Sequence, residues 1–261
     1  MDRHGAMSSG ARIDYSVAGP SDAPTLLFIN SIATTRELWA RQVSRCAKSF
    51  RVITYDARGH GFSQATVGDY SIEQLARDAL AILDDVGAES AHVCGISLGG
   101  ITAMWMGVHA PRRVESLVLA NTAARIGSVD MWTERMAFVR QHGMATLAEM
   151  TMPRWFTETF RTQEPQTVYG FKSMVEKCSE DGYLGCCAAL RDEDLREAIA
   201  GIRCPVLAIA GASDVATPPD SLRFIHERIA DSRLVTLDAA HLTNVEQHEA
   251  FNAELLGFLK S

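Results

Sequence analysis

The residue of this chain that most directly suggests a catalytic function is the serine at position 97. It lies in the run Gly95-Ile-Ser-Leu-Gly-Gly100, between a short apolar stretch and residues 101–109, whose spacing predicts a helix. A serine on such a sharp turn has a strained backbone and a hydroxyl that projects into a cleft. Glycines two residues before and after it let strand and helix approach without a Cβ clash. We therefore predict that Ser97 is a catalytic nucleophile.

A serine nucleophile needs a base that takes its proton and a carboxylate that orients this base. Asp214 follows one apolar segment late in the chain, and His241 follows the next one. Ends of neighbouring parallel strands meet at one edge of a sheet, so this order predicts a triad of Ser97, Asp214 and His241. His60 is a weaker candidate for the base, because it lies on an early loop with no strand-end acid beside it.

Acyl transfer also needs N–H donors for the negative charge that forms on the carbonyl oxygen. The backbone N–H of Leu98, directly after the nucleophile, is one candidate. Ile32 is the other, since it lies in the polar loop that follows the apolar run 25–29. The sequence contains no H-E-x-x-H, EF-hand, Walker or complete dinucleotide-binding pattern. We therefore expect neither a metal nor a cofactor.

The elements that must position these residues form a regular alternation. Short apolar runs alternate with segments of helical spacing, which predicts an α/β fold with a mostly parallel sheet and helices on both faces. The predicted strands are 12–17, 25–29, 51–55, the run before Ser97, 114–120, 205–210 and 233–237. The predicted helices are 35–48, 71–86, 101–109, 219–230 and 245–259.

Residues 122–197 interrupt the alternation. They contain several helical segments rich in Met, Trp and Arg, and no convincing buried strand. We predict that they form an inserted helical cap on a core of residues 1–121 and 198–261. Most apolar side chains of the cap are expected to form its own core, while a minority line a pocket, for which methionine is well suited.

Composition limits the classes of partner. The chain has 261 residues, is 47% hydrophobic and carries a formal net charge of −7. An acidic surface does not attract nucleic acid or anionic membranes, so we expect neither as a partner. No membrane-spanning run or signal peptide is visible, which favours a cytoplasmic protein. The six cysteines form neither a disulfide framework nor a zinc pattern, so we expect reduced, mostly buried thiols. Nothing in the pattern specifies an oligomeric state.

The chain resembles the α/β-hydrolase superfamily along almost its whole length. The segments that carry this resemblance are Asp56-Ala-Arg-Gly-His-Gly-Phe-Ser63, Gly95-Ile-Ser-Leu-Gly-Gly100, Gly211-Ala-Ser-Asp214 and Ala240-His-Leu-Thr-Asn244. Within the superfamily, the chain resembles the 3-oxoadipate enol-lactonase family in particular. The segments that carry this narrower resemblance are Asn30-Ser31-Ile32, Leu119-Ala-Asn-Thr-Ala-Ala-Arg-Ile-Gly127, Trp132-x-x-Arg135 and Arg154-Trp-Phe-Thr157.

The resemblance implies hydrolysis of a carboxylate-bearing enol-lactone in the β-ketoadipate route of aromatic breakdown, through an acyl-enzyme and without a cofactor. Trp132 and Arg135 are spaced i, i+3, so the indole can cover the lactone ring while the guanidinium meets the carboxylate. Trp155 is a further expected pocket residue. The alternative interpretation of Arg135 is that it lies on the surface and forms an ion pair with a nearby glutamate. The other cap arginines that could bind the carboxylate are Arg125, Arg140 and Arg154.

Two other functions use the same scaffold. One is an esterase for uncharged esters or a carbon-carbon bond hydrolase, which the same triad would serve, because specificity resides in the pocket. The other is a ligand sensor that keeps fold and triad but signals to a partner protein. Multiple-turnover kinetics separates an enzyme from such a sensor.

Overall fold

The computed structural model describes residues 3–260 and contains one eight-stranded sheet. Its strands in chain order are β1 Arg3–Ser8, β2 Ala11–Ala18, β3 Thr25–Ile29, β4 Arg51–Tyr55, β5 Ala91–Ile96, β6 Val114–Ala120, β7 Val206–Gly211 and β8 Ser232–Leu237. Their order across the sheet is β1-β2-β4-β3-β5-β6-β7-β8. The pairs β1–β2 and β2–β4 are antiparallel, and all the other pairs are parallel.

Ten α-helices surround this sheet in the part of the chain that the structure describes. They are α1 Ala40–Cys46, α2 Ile72–Asp85, α3 Leu98–His109, α4 Val129–Trp155, α5 Glu158–Gln163, α6 Pro165–Lys177, α7 Glu180–Asp192, α8 Pro219–His226, α9 Thr243–Glu246 and α10 His248–Leu259. The predicted α/β class with a mostly parallel sheet is confirmed. Even the longest helix, α4, is too rich in charged side chains to cross a bilayer, and no other helix within residues 3–260 qualifies.

The central strands follow their sequence pattern closely. The structure gives β3, β4 and β6 the predicted limits, because a strand buried on both faces is a nearly continuous apolar run. The first strand, β1, was not predicted. It is an edge strand in which only Ala6 and Ser8 are buried, so its sequence lacks an apolar signal.

Two predicted helices are broken in the structure. The segment predicted as 35–48 begins as a 3-10 turn, Arg36–Trp39, and becomes α-helical only at Ala40. The segment predicted as 245–259 divides at Gln247, whose non-helical backbone separates α9 from α10. The division leaves α9 as a short helix directly after the loop that carries His241.

A buried ionic cluster holds the 3-10 turn against the sheet. Arg36 contacts the carboxylates of both Asp14 on β2 and Asp56 at the end of β4, the latter at 2.7 Å. The backbone N–H of Arg36 also donates to Asp56 at 2.8 Å. Burial alone would raise the pKa of Asp14, but hydrogen bonds from Arg3, Arg36 and Arg12 lower it to about 2. Asp14 therefore remains ionised at neutral pH.

The predicted cap lies between β6 and β7. Helices α4 to α7 occupy residues 129–192, and α4 bends at Gly143, whose φ is +74°. The chain enters and leaves this region at one point, since the backbone N–H of Leu195 donates to the carbonyl of Ala124 at 2.9 Å. Arg125 and Asp194 form an ion pair at 3.0 Å beside this hydrogen bond.

Candidate active site

Ser97 lies at the turn between β5 and α3, where its backbone has φ +58° and ψ −118°. This is a strained conformation for a residue with a Cβ atom, and such strain is concentrated at functional sites. Two hydrogen bonds hold it. The Ser97 N–H donates to Ala120 at the end of β6 at 3.0 Å, and its carbonyl accepts from the Thr122 hydroxyl at 2.8 Å.

The glycines around Ser97 are required by close backbone contacts. A Cβ atom on Gly95 would overlap the carbonyl of Gly99, one turn into the helix. A Cβ atom on Gly99 would overlap the carbonyl of Ile29, at the end of the neighbouring strand β3. The sequence pattern around the serine therefore reflects how tightly β5, α3 and β3 approach one another.

Asp214 and His241, which follow β7 and β8, are in direct contact. The Asp214 Oδ2 atom lies 2.8 Å from His241 Nδ1, and both side chains are almost completely buried. The same carboxylate accepts hydrogen bonds from Thr217, through its hydroxyl at 2.8 Å and its N–H at 3.0 Å. The pair thus forms a rigid unit in which Asp214 orients the imidazole ring.

Asn121 is a further partner of this carboxylate that sequence reasoning missed. Its Nδ2 atom donates to Asp214 Oδ2 at 2.9 Å, while its Oδ1 atom accepts from the Thr243 hydroxyl at 2.6 Å. Burial alone would raise the pKa of Asp214, but the charge of His241 and the hydrogen bonds from His241, Asn121 and Thr217 hold it well below its ordinary value. The carboxylate is therefore ionised over the whole neutral range.

Ser97 and His241 line one cavity between the sheet edge and the cap. The Ser97 hydroxyl and His241 form no hydrogen bond with each other in the described part of the chain, although both side chains line the same cavity. Hydrogen bonds of this kind are often long until a substrate aligns them. The structure therefore brings the serine to the same cavity as the Asp214–His241 pair.

The predicted oxyanion donors lie on two sides of Ser97. Leu98 is the first residue of α3, so its N–H has no helical acceptor four residues earlier. Ile32 lines the cavity, and its N–H has no hydrogen-bond acceptor among the residues that the structure describes. The next residue, Ala33, has a φ of +61° and donates its N–H to His60. His60 is thus a support of this loop and does not line the cavity.

The cap contributes all three of its predicted substrate contacts to the cavity lining. Trp132, Arg135 and Trp155 face it together, and the Trp132 indole is fixed by a 2.6 Å hydrogen bond to the carbonyl of Ile126. Arg154, one of the alternative arginines, lines the same cavity. Arg125 does not, because its guanidinium pairs with Asp194 outside the cavity.

The charge of the cavity is one-sided. Arg135 and Arg154 are half-buried, and neither forms an ion pair within the described part of the chain. No aspartate or glutamate among residues 3–260 lines the cavity, and the other polar side chains in its lining are uncharged or are His241. The surface pairing considered for Arg135 is therefore absent among the described residues. A cavity with two unpaired guanidinium groups beside a serine suits a substrate that carries a carboxylate.

No group of three or more histidine, cysteine or acidic side chains within residues 3–260 is arranged to hold a metal ion. The six cysteines are free thiols, of which all but the half-buried Cys204 are buried. The side chains that line the cavity and could act on a substrate include Ser97, His241 and the two arginines.

The chain is similar to known proteins over almost its whole length. A family model described as alpha/beta hydrolase fold matches residues 24–247. The chain is 39% identical to 3-oxoadipate enol-lactonase 2 of Acinetobacter baylyi, over 95% of this chain and 93% of the relative. It is 36% identical to 3-oxoadipate enol-lactonase 1 of the same organism, over 97% and 94%. The crystal structure of the enol-lactonase from Burkholderia xenovorans LB400 superposes with a TM-score of 0.97 at 37% identity, covering 99% of this chain and 100% of that one.

Proposed function

Because the chain belongs to the α/β-hydrolase family, we propose that it hydrolyses 3-oxoadipate enol-lactone to 3-oxoadipate. One observation carries this proposal. The cavity that holds Ser97 and His241 also holds two guanidinium groups without a carboxylate partner among the described residues. The names of relatives at 36% and 39% identity support the choice of substrate.

The reaction begins when Ser97 Oγ attacks the lactone carbonyl carbon. His241 accepts the serine proton at Nε2, because its Nδ1 is held by Asp214 at 2.8 Å. The ionised carboxylate of Asp214 stabilises the positive charge that forms on the ring. General base catalysis of this kind contributes roughly 10²- to 10⁴-fold to the rate.

The negative charge that develops on the carbonyl oxygen is stabilised by the backbone N–H groups of Leu98 and Ile32. Removing one oxyanion donor, in that case an asparagine side chain, lowers kcat by about 10²- to 10³-fold in a well-studied serine protease. Fixed amides are effective because they need no reorganisation when the charge forms.

Collapse of this intermediate breaks the bond between the carbonyl carbon and the ring oxygen. The ring oxygen leaves as an enolate that remains attached to the acyl chain, and His241 returns a proton to it. The enol then becomes a ketone. A water molecule, activated by His241, attacks the acyl-enzyme and releases 3-oxoadipate with Ser97 restored.

Residues of the cap bind the substrate carboxylate. Arg135 meets the carboxylate, with Arg154 as a second positive charge in the same cavity, and Trp132 covers the lactone ring. An enolate is a good leaving group, so the rate depends strongly on how the lactone is held against Ser97. Apart from the attacking water, every catalytic group in this scheme belongs to the protein.

The decisive experiment is a steady-state assay of the purified protein with 3-oxoadipate enol-lactone, beside a neutral p-nitrophenyl ester as a control. We expect many turnovers per enzyme molecule and a kcat/KM for the lactone at least about 100-fold above that for the ester, from the charged contact. Equal efficiency on both substrates would favour a general esterase. A single slow turnover on both would favour a sensor.

A further inference from the structure

Glu246, on the short helix α9, makes an unusual set of contacts. Its carboxylate is half-buried, yet no arginine, lysine or histidine within residues 3–260 forms an ion pair with it. Its partners are neutral donors on two different parts of the chain. Oε2 accepts from the backbone N–H of Ala240 at 3.0 Å, and Oε1 accepts from the hydroxyl of Thr157 and from its N–H at 3.3 Å.

The two sides of this carboxylate connect the base to the cap. Ala240 directly precedes His241, and Thr157 follows the end of α4 by two residues. A second hydrogen bond runs parallel to this link, because the N–H of Leu242 donates to the carbonyl of Trp155 at 3.1 Å. His241 is therefore flanked on both sides by hydrogen bonds that lead to the same cap segment, residues 155–157.

This cap segment adjoins the substrate cavity. Arg154 and Trp155 line the cavity that also contains His241. The relative position of the base and of these cap side chains consequently depends on the contacts of Glu246.

We propose that Glu246 is a positioning residue that fixes the loop of His241 to the end of α4, so that base and cap side chains meet the substrate in one arrangement. The proposal rests on the proposed function, in which the same cavity holds an anionic lactone. A displacement of about 1 Å in such an arrangement is sufficient to lower a rate about 100-fold.

A carboxylate is well matched to this task because every partner is a donor. Oε1 accepts from Thr157 alone, while Oε2 accepts from Ala240 and, at 3.4 Å, from the Thr157 N–H. Charge-assisted hydrogen bonds of this kind are about twice as strong as neutral ones. A glutamine has the same shape but carries donors on one of its two terminal atoms. Glu246→Gln therefore loses the negative charge, and it keeps both Ala240 and Thr157 as partners only if the Thr157 hydroxyl reverses to accept from the new amide nitrogen, while the packing around the side chain is conserved.

The test compares Glu246→Gln and Glu246→Ala with the matched control Glu249→Gln, which removes an exposed carboxylate on α10. We expect kcat to fall about 10- to 100-fold in both Glu246 variants, on the lactone and on the neutral ester, with KM changed less than about threefold. The control is expected to match the wild type. Unchanged kcat in both Glu246 variants would overturn the proposal.

A second measurement separates positioning from general stability. A p-nitrophenyl phosphonate reacts with the serine only when the base is aligned, and the release of p-nitrophenolate gives the rate without any lactone. We expect this rate to fall by the same factor as kcat, in protein whose circular dichroism is native. If the Glu246 variants had a lower melting temperature but an unchanged rate with the phosphonate, Glu246 would contribute to packing only. Because no lactone is used, failure of the lactone assay would bear on the proposed function alone.

Thr157→Val tests the cap side of the link. If Thr157 acts through Glu246, the double variant Thr157→Val/Glu246→Gln is expected to be no slower than Glu246→Gln alone, because residues that act as a unit are not additive. Multiplied effects of the two substitutions would show independent roles and overturn the link to the cap.

Discussion

The Nε2 atom of His60 accepts a hydrogen bond from the backbone N–H of Ala33 at 2.9 Å, directly beside the proposed oxyanion donor Ile32. The other ring nitrogen lies 3.0 Å from the carbonyl of Arg58, which requires the proton to be on Nδ1. Burial lowers the pKa of His60, so the ring is neutral and its Nε2 stays an acceptor. The bond holds Ala33 in the left-handed conformation that an alanine rarely adopts.

His60→Ala is expected to lower kcat roughly 10- to 100-fold on any ester or lactone, since Ala33 can relax and the Ile32 amide then turns away from the developing oxyanion. His60→Gln keeps an acceptor at similar reach and should recover much of this loss. His109→Ala removes an exposed histidine on α3 as the control. Wild-type kcat in His60→Ala would show that the loop holds its shape unaided.

Ser97→Ala is expected to abolish turnover and leave the fold intact, because it removes the nucleophile without changing the packing of β5 against α3. Residual activity should lie below about a thousandth of the wild type, given what oxyanion donors and binding alone supply. The assay is enol-lactone hydrolysis, with circular dichroism and the melting temperature as checks of folding. Activity well above that level would assign the attack to a different group.

Asp214→Asn should slow turnover by about 10³- to 10⁴-fold, because an amide at this position favours the wrong tautomer of His241. The measurement is kcat on the enol-lactone. Asp220→Asn, which changes an exposed aspartate on α8, is the matched control. A variant with nearly normal rates would mean that another acid orients the base.

Arg135→Met keeps the length of the side chain and removes its charge. We expect kcat/KM for the enol-lactone to fall by about 2 to 4 kcal/mol, or 30- to 1,000-fold, with little change on a neutral ester. Arg154→Met is expected to give a smaller loss with the same preference. Arg140→Met, at an exposed position of α4, serves as the control.

The pattern across the two substrates decides the interpretation of these arginine variants. Equal losses on lactone and ester would indicate a disturbed cap rather than a lost charge contact. Full activity on both substrates would remove Arg135 from the proposed binding site.

Asp14→Asn is expected to lower stability in a pH-dependent way. The folded protein holds the pKa of Asp14 at about 2, below its ordinary value of 3.8. The carboxylate therefore stabilises the fold fully above about pH 4, and this contribution is lost as the pH falls toward 2. The shift corresponds to about 2 kcal/mol at pH 7, and about half of this remains at pH 3.

Urea unfolding of the wild type and Asp14→Asn at pH 7 and pH 3 measures this difference. Asp22→Asn, in an exposed turn, is the control and should show no loss at either pH. The same gap in the free energy of unfolding at both pH values would contradict the assignment to the Asp14 charge.

The elements that the sequence predicts best are those whose burial is uniform. Strands such as β3 and β6 are apolar throughout because helices or other layers cover both faces, so their limits appear directly in the residue pattern. Edge strand β1 has no such pattern, because it is held to the sheet mainly by backbone hydrogen bonds with β2. The sequence also gives no signal for the helix break at Gln247, because the residues on both sides of it have helical spacing.

For the candidate site, chain order was sufficient to choose Ser97, Asp214 and His241 as candidates. Their polar supports could not be chosen in this way. Asn121 and Glu246 act through hydrogen bonds to residues more than 80 positions away, which depend on how strand ends and cap meet in space. The local sequence around either residue does not predict these contacts.

The hydrogen bond between Leu195 and Ala124 brings the two ends of the cap together, so that the cap is a closed loop in the chain. Lengthening a closed loop costs little free energy, about 0.6 kcal/mol for each doubling. Insertions or replacements between these two residues thus leave the register of β6 with β7 unaffected, and with it the geometry of Ser97 and Asp214. Descendants of this gene could acquire new substrates by exchanging cap residues outside the segment 155–157, which is hydrogen-bonded to Glu246 and to the loop of His241, while the machinery that breaks the ester bond is inherited intact.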